Sequence, residues 1–171
     1  MKRLFWAIIA GLAFFSVGVP AQSETFFQTV GGKWQGTLEY LDYTSNERVT
    51  LKMQVEIKPA ADGESAEFFT IFDDFGKMIK NSETERIDRT ESKFYQGDAS
   101  FKIESITDGK IVLLGSAPDG ETVERVRKTI TYSKDRLVIL KETRDPWRFR
   151  NRIILQREPE ENGSGEKSRP L

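Results

Sequence analysis

The sequence predicts an all-β domain: an antiparallel up-and-down barrel of roughly eight to ten strands, with a β-sandwich as the alternative. Three observations predict it. Apolar and polar residues alternate with period two through most of the chain, turn residues separate the alternating runs, and no long stretch carries a helical period. The cleanest run is 48–58. There Val49, Leu51, Met53, Val55 and Ile57 fall on one face, and Arg48, Thr50, Lys52, Gln54, Glu56 and Lys58 on the other. A strand of this kind has one dry face and one wet face.

The remaining strands are expected at 34–43, 66–73, 77–87, 92–96, 99–107, 110–115, 122–132, 136–143 and 148–157. Between them lie Ala61-Asp62-Gly63, Phe75-Gly76, Gln96-Gly97-Asp98, Asp108-Gly109, Pro118-Asp119-Gly120 and Lys134-Asp135. Gly, Asn and Asp tolerate the positive φ of tight hairpins, so these are turns with a physical cause. So many short strands dispose of their edges by closing or stacking the sheet. Residues 24–30 are expected to form a short helix or turn plugging one end, anchored by Phe26 and Phe27.

The flanks read differently. Lys2 and Arg3 precede an uncharged stretch over 4–19, and Val19-Pro20-Ala21 offers small residues where a signal peptidase reads. The expectation is an export signal over 1–21, cleaved after Ala21 or alternatively after Ser23, and hence a periplasmic or secreted protein. Retention as an anchor is the other outcome, although the apolar run falls short of the ~20 residues a spanning helix wants. No cysteine follows the run, which excludes lipoprotein processing. The barrel domain is expected over 22–158. From Pro159 no large apolar residue appears before Leu171, so 159–171 reads as a disordered tail.

Composition excludes more chemistry than it suggests. The chain has neither cysteine nor histidine, so disulfides, Ser-His-Asp or Cys-His catalysis and nitrogen–sulfur zinc sites are all ruled out. No glycine-rich dinucleotide fingerprint is present, so no cofactor is expected. Lys2 and Arg3 are the only charges within 1–21, and their removal takes the net charge from −1 to −3, which argues against a nucleic-acid partner. Asp73-Asp74 is the obvious carboxylate pair. Neighbouring strand residues face opposite ways, so its expected role is the turn at Phe75-Gly76. An enzyme using carboxylate or tyrosine chemistry is the weakest functional reading.

Arg148, Arg150 and Arg152, at i, i+2 and i+4, are expected to form a basic stripe on one face of the last strand, with Arg125 and Arg127 a shorter one. Such a stripe either docks an anionic partner or is a solvated face paired with Glu142, Glu124 or Glu121. Trp147, after Asp145-Pro146, is expected to cap a barrel mouth. The aromatic group Phe68, Phe69, Phe72, Phe75, Phe94, Tyr95 and Phe101 either fills the core or lines an apolar cavity.

Gly32-Lys33-Trp34 at the first strand and the arginine-rich last strand resemble the calycin pattern of lipocalins and fatty-acid-binding proteins. In that family a G-x-W tryptophan closes the barrel floor and an arginine of the final strand packs across it. The resemblance therefore implies Trp34 as the floor, Arg157 as its partner and Arg152 in reserve. Paired cysteines and a T-D-Y-type motif are missing, and no histidine is present to hold haem as in related barrels. The implied function is the holding of a small apolar or amphipathic ligand. Trp34, Leu38, Tyr40, Met53, Val55, Phe68, Phe72 and Phe101 would line its site, and Arg152 or Arg157 would meet a ligand carboxylate. The rival is a cell-envelope module docking a protein or an anionic glycan, with no cavity.

Overall fold

The computed structural model describes residues 24–42, 44–119, 122–143 and 146–159. The export signal expected over 1–21 and the tail beyond Pro159 lie outside the described residues. Among those described, the chain forms a short helix, α1 (Phe26–Val30), and ten strands. The strands are β1 (Gly32–Leu41), β2 (Arg48–Pro59), β3 (Ser65–Asp74), β4 (Lys77–Asp88), β5 (Lys93–Gln96), β6 (Ala99–Thr107), β7 (Lys110–Asp119), β8 (Thr122–Tyr132), β9 (Arg136–Thr143) and β10 (Arg148–Arg157). Each pairs antiparallel with its neighbours in sequence, and β10 closes on β1. The fold is a closed up-and-down barrel, not a sandwich.

The alternation in sequence becomes inside and outside in the barrel. On β2, Leu51, Met53, Val55 and Ile57 are buried, while Lys52 and Gln54 between them are exposed. Cross-strand register carries the inner face round the wall: Val55 lies opposite Trp34 and Thr70, and Ile57 opposite Phe68. The outer face of β2 is charged, unlike a lipid-facing strand, which presents an apolar band. No helix among the described residues is long and apolar enough to cross a membrane.

One end is sealed. The expected plug is helical, with Thr25 and Gln28 forming a reciprocal capping box at its start. Phe26, Phe27 and Val30 are all buried. Phe27 packs against Phe68 and Phe94 with ring centres 6.4 and 6.2 Å away, and Phe26 meets Tyr132 edge-on at 4.9 Å. Trp34 is fully buried beside them, and its indole N–H donates to the Val30 carbonyl at 2.8 Å. The Arg157 guanidinium lies 4.4 Å over the indole ring. It also donates to the carbonyls of Thr29, at 2.7 Å, and of Gly31 and Lys134. One arginine thus ties the plug, the β8–β9 turn and the last strand to the floor.

Two irregularities lie beyond the reach of alternation. A bulge between Phe149 and Asn151 shifts the β9–β10 register. Arg148 then faces Thr143 across the ladder, whereas Arg152 faces Leu140. The expected one-face stripe of Arg148, Arg150 and Arg152 is therefore broken. Trp147 also departs from expectation: it stacks over Arg127 and Arg125, with the guanidinium carbons 4.8 and 5.9 Å from its ring centre, rather than capping the mouth. Of the carboxylates named as partners, Glu142 pairs with Arg127 at 2.8 Å.

Candidate functional site

The barrel is not filled to its upper end. Above the aromatic floor lies a cavity of about 360 Å³, built by β4, β5, β6, β8, β9 and β10. Its apolar half comes from Phe94, Ala99, Phe101, Ile130, Ile139 and Ile153, and its polar half from Glu83, Glu85, Gln96, Lys128, Lys141 and Asn151. All six polar residues stand at inward-facing positions. Glu85 is two residues from buried Ile87, Lys128 two from buried Val126 and Ile130, and Lys141 two from buried Thr143.

Opposite charges meet this space from two walls. Glu83 and Glu85 project from β4, while Lys128 and Lys141 are directly opposed across the β8–β9 ladder. Like charges so placed repel, a cost a plain core would avoid. Gln96 stands between the walls. Its amide nitrogen donates to Glu83 Oε1 at 2.7 Å, and its amide oxygen accepts from Lys128 Nζ. Lys128 Nζ also sits 4.4 Å from the centre of the Phe101 ring. No carboxylate lies within ion-pair distance of Lys128 among the described residues.

Glu85 is the most deeply buried charged side chain among the described residues. It is only 5% exposed, and no described residue donates a hydrogen bond to its carboxyl. Burial pushes its pKa up to about 8, Lys128 opposing the shift and Glu83 adding to it. Burial likewise pulls the Lys128 pKa down, with Glu85 and Glu83 opposing and Lys141 adding. At neutral pH Glu85 is thus largely a protonated acid, able to donate as well as accept. Such displaced titrations cluster at functional sites.

The cavity has a way in. β5 is only four residues long and pairs with β4 over Glu85–Asp88 alone. Its hairpin to β6 turns at Gly97-Asp98, and the β6–β7 ladder starts at Phe101 opposite Gly115. Above that hairpin, residues 77–83 and 116–119 have no strand neighbour on the facing side among the described residues. The wall is notched there, and Glu83, Gln96 and Ala99 form the rim.

Of the residues expected to line a ligand site, Phe101 alone borders this cavity. Trp34, Met53, Val55 and Phe68 are solid core, and Leu38 and Phe72 pack against that core. Tyr40 is half-buried opposite Asn151. Arg157 belongs to the floor. Arg152 is on the outer wall, where its guanidinium meets Glu39 at 2.6 Å, and Arg48 binds the same carboxylate at 2.6 Å. Hydrogen bonds from Arg48 and then Arg152 hold the Glu39 pKa below its ordinary value. The structure therefore corrects the assignment of Arg152 to an inner site. Among the grouped aromatics, Phe68, Phe94 and Phe101 are interior, whereas Phe75 is an exposed turn residue and Phe69 lies outside under Lys58. Asp73 does serve the turn, its carboxylate accepting from the Gly76 N–H at 2.7 Å.

No known protein family matches the chain, and no curated protein is similar to it. The site therefore stands on its own geometry. A larger crease of about 710 Å³ runs over the outside of β10, β1, β2 and β3, bordered by Gln35, Gln54, Gln156, Ile71 and Ile154. It is an open surface, and no residue bordering it is a buried charge.

Proposed function

We propose that this protein is an exported, lipocalin-like binding protein that holds a small amphipathic ligand in the barrel interior. One observation carries the reading: a buried acid, Glu85, and a half-buried base, Lys128, face the same half-apolar cavity without pairing with each other. Burying an ionisable group without a partner costs several kcal/mol. A fold assembled only for stability would place leucine or valine at these inward positions. The cavity volume of 360 Å³ lies at the lower end of the roughly 300–1,000 Å³ typical of small-molecule sites. Its mixture of apolar wall and a few convergent polar groups is also what such sites share. Export agrees with the charge and apolar pattern of residues 1–21.

Dye binding tests this directly. The purified protein should enhance the fluorescence of N-phenyl-1-naphthylamine, a small neutral apolar probe. Ala99→Trp, which puts an indole at the cavity rim, should abolish the enhancement and move the melting temperature by only a few degrees. An equal signal from wild type and Ala99→Trp, or none from wild type, would remove the interior-site reading.

A further inference from the structure

Resting on the interior-site reading, we infer that the ligand is a small zwitterion: an ammonium and a carboxylate close together on an apolar side chain, as in an apolar α-amino acid. The geometry of the polar half leads there. Lys128 is a half-buried ammonium that meets an amide oxygen and an aromatic ring, so it has a cation's field to offer an anion. Glu85 is a buried carboxyl with no donor directed at it, and it lines the same space. Were the two meant only for each other, they would form an ion pair. Gln96 instead occupies the gap, bonding Glu83 on one side and Lys128 on the other.

The site therefore presents one acid and one base around the same space, beside a patch of Phe94, Phe101, Ile130, Ile139 and Ile153. A simple anion would satisfy Lys128 and leave Glu85 without a donor. A simple cation would do the reverse and add to the repulsion between Lys128 and Lys141. A zwitterion answers both, with its carboxylate toward Lys128 and its ammonium toward Glu85. Its apolar group then lies on the floor side.

Proton linkage follows from the same placement. The groups facing Glu85 are Glu83 on its own strand, Gln96 on β5, Lys128 on β8 and Lys141 on β9, while Ala66 opposite it on β3 is apolar. With its pKa raised to about 8, Glu85 is mostly protonated at pH 7 in the empty barrel. An arriving ammonium favours the ionised carboxylate, so binding expels a proton and tightens as pH rises toward 8. A ligand bearing only an anion would take up a proton instead.

Calorimetry with three probes of similar shape decides the matter: L-phenylalanine, 3-phenylpropanoate, which lacks the ammonium, and 2-phenylethylammonium, which lacks the carboxylate. At pH 7 phenylalanine should bind about tenfold or more tighter than either, since each lost charge-assisted contact is worth about that factor. Paired titrations in buffers of different ionisation enthalpy should show proton release. Glu85→Gln should bring phenylalanine down to the affinity of 3-phenylpropanoate, and Lys128→Met down to that of 2-phenylethylammonium, in proteins that still melt cooperatively. If 3-phenylpropanoate or 2-phenylethylammonium binds as tightly as phenylalanine, or if protons are taken up, the zwitterion inference is overturned. If all three fail while N-phenyl-1-naphthylamine binds, the inference falls and the interior site stands. If that dye fails too, both fall.

Discussion

Trp34→Ala should cost about 3–5 kcal/mol of folding stability, the range for truncating a buried tryptophan. Three separate losses add at this position. The indole is fully buried at the barrel floor, so its removal leaves a cavity in the core that a closed barrel cannot easily collapse. The Val30 carbonyl, at the end of α1, loses its indole donor. Arg157 loses the ring beneath its guanidinium and with it the surface that aims its bonds to Thr29 and Gly31. Trp34→Phe, which restores the ring face but not the N–H, should recover about half of the loss. Urea unfolding monitored by far-ultraviolet dichroism measures both. A Trp34→Ala protein as stable as wild type would mean that the floor is not what holds the barrel closed.

The second large effect runs in the opposite direction. Glu85→Gln should stabilise the protein by roughly 2–4 kcal/mol at pH 8, from ~1.4 kcal/mol per pKa unit. The folded-state pKa of Glu85 is raised from 4.5 to about 8, so the fold binds this proton more tightly than the unfolded chain does. Stability contributed by the protonated form is fully present below pH 4.5 and is lost as pH rises through 8. Gln keeps the neutral form at every pH. The variant should therefore match wild type near pH 4.5, pull away steadily between pH 5 and 8, and show a melting temperature roughly 5–10 °C higher at the upper end. Lys128, whose pKa is lowered by burial, works the other way: it regains stability for the fold as pH climbs toward its ordinary 10.5. Parallel melting curves for wild type and Glu85→Gln across pH 5–8 would contradict this placement of the carboxyl. A gain of stability in Glu85→Gln would mean that this position serves something other than stability.

The architecture was legible because a half-wet barrel wall writes its geometry into every second residue. The alternation over 48–58 marks the inner face of β2, and the turns at Phe75-Gly76 and Asp108-Gly109 fall where positive φ occurs in the chain. The plug was legible because Phe26 and Phe27 stand together in a stretch without alternation. The site was not. Glu83, Glu85, Lys128 and Lys141 are polar, and polar residues in a strand read as the wet face. Parity held the missing signal: counting back by two from Ile87 reaches Glu85 and Glu83, and from Ile130 reaches Lys128. Charged residues in phase with a core face are the sequence mark of a wet interior.

Arg152 failed for a different reason. Alternation itself puts it outside: the register is unbroken over 151–156, and Arg152 stands three residues from buried Leu155, on the other face, while the bulge between Phe149 and Asn151 only parts it from Arg148. Nothing in Arg148-Phe149-Arg150-Asn151-Arg152 marks the extra residue. Arg157, by contrast, was placed at the floor by topology, since the end of the last strand must meet the start of the first when an up-and-down barrel closes.

Glu85 is a buried carboxyl that lines the cavity. Carbon-13 NMR of the glutamate side-chain carboxyls, with Glu85 assigned by loss of its signal in Glu85→Gln, follows that group alone. Glu85 should titrate with a midpoint near 8 in the empty protein, and the midpoint should fall when L-phenylalanine saturates the cavity. A midpoint at the ordinary 4.5, unmoved by any occupant, would show a solvated surface acid and would contradict the site altogether.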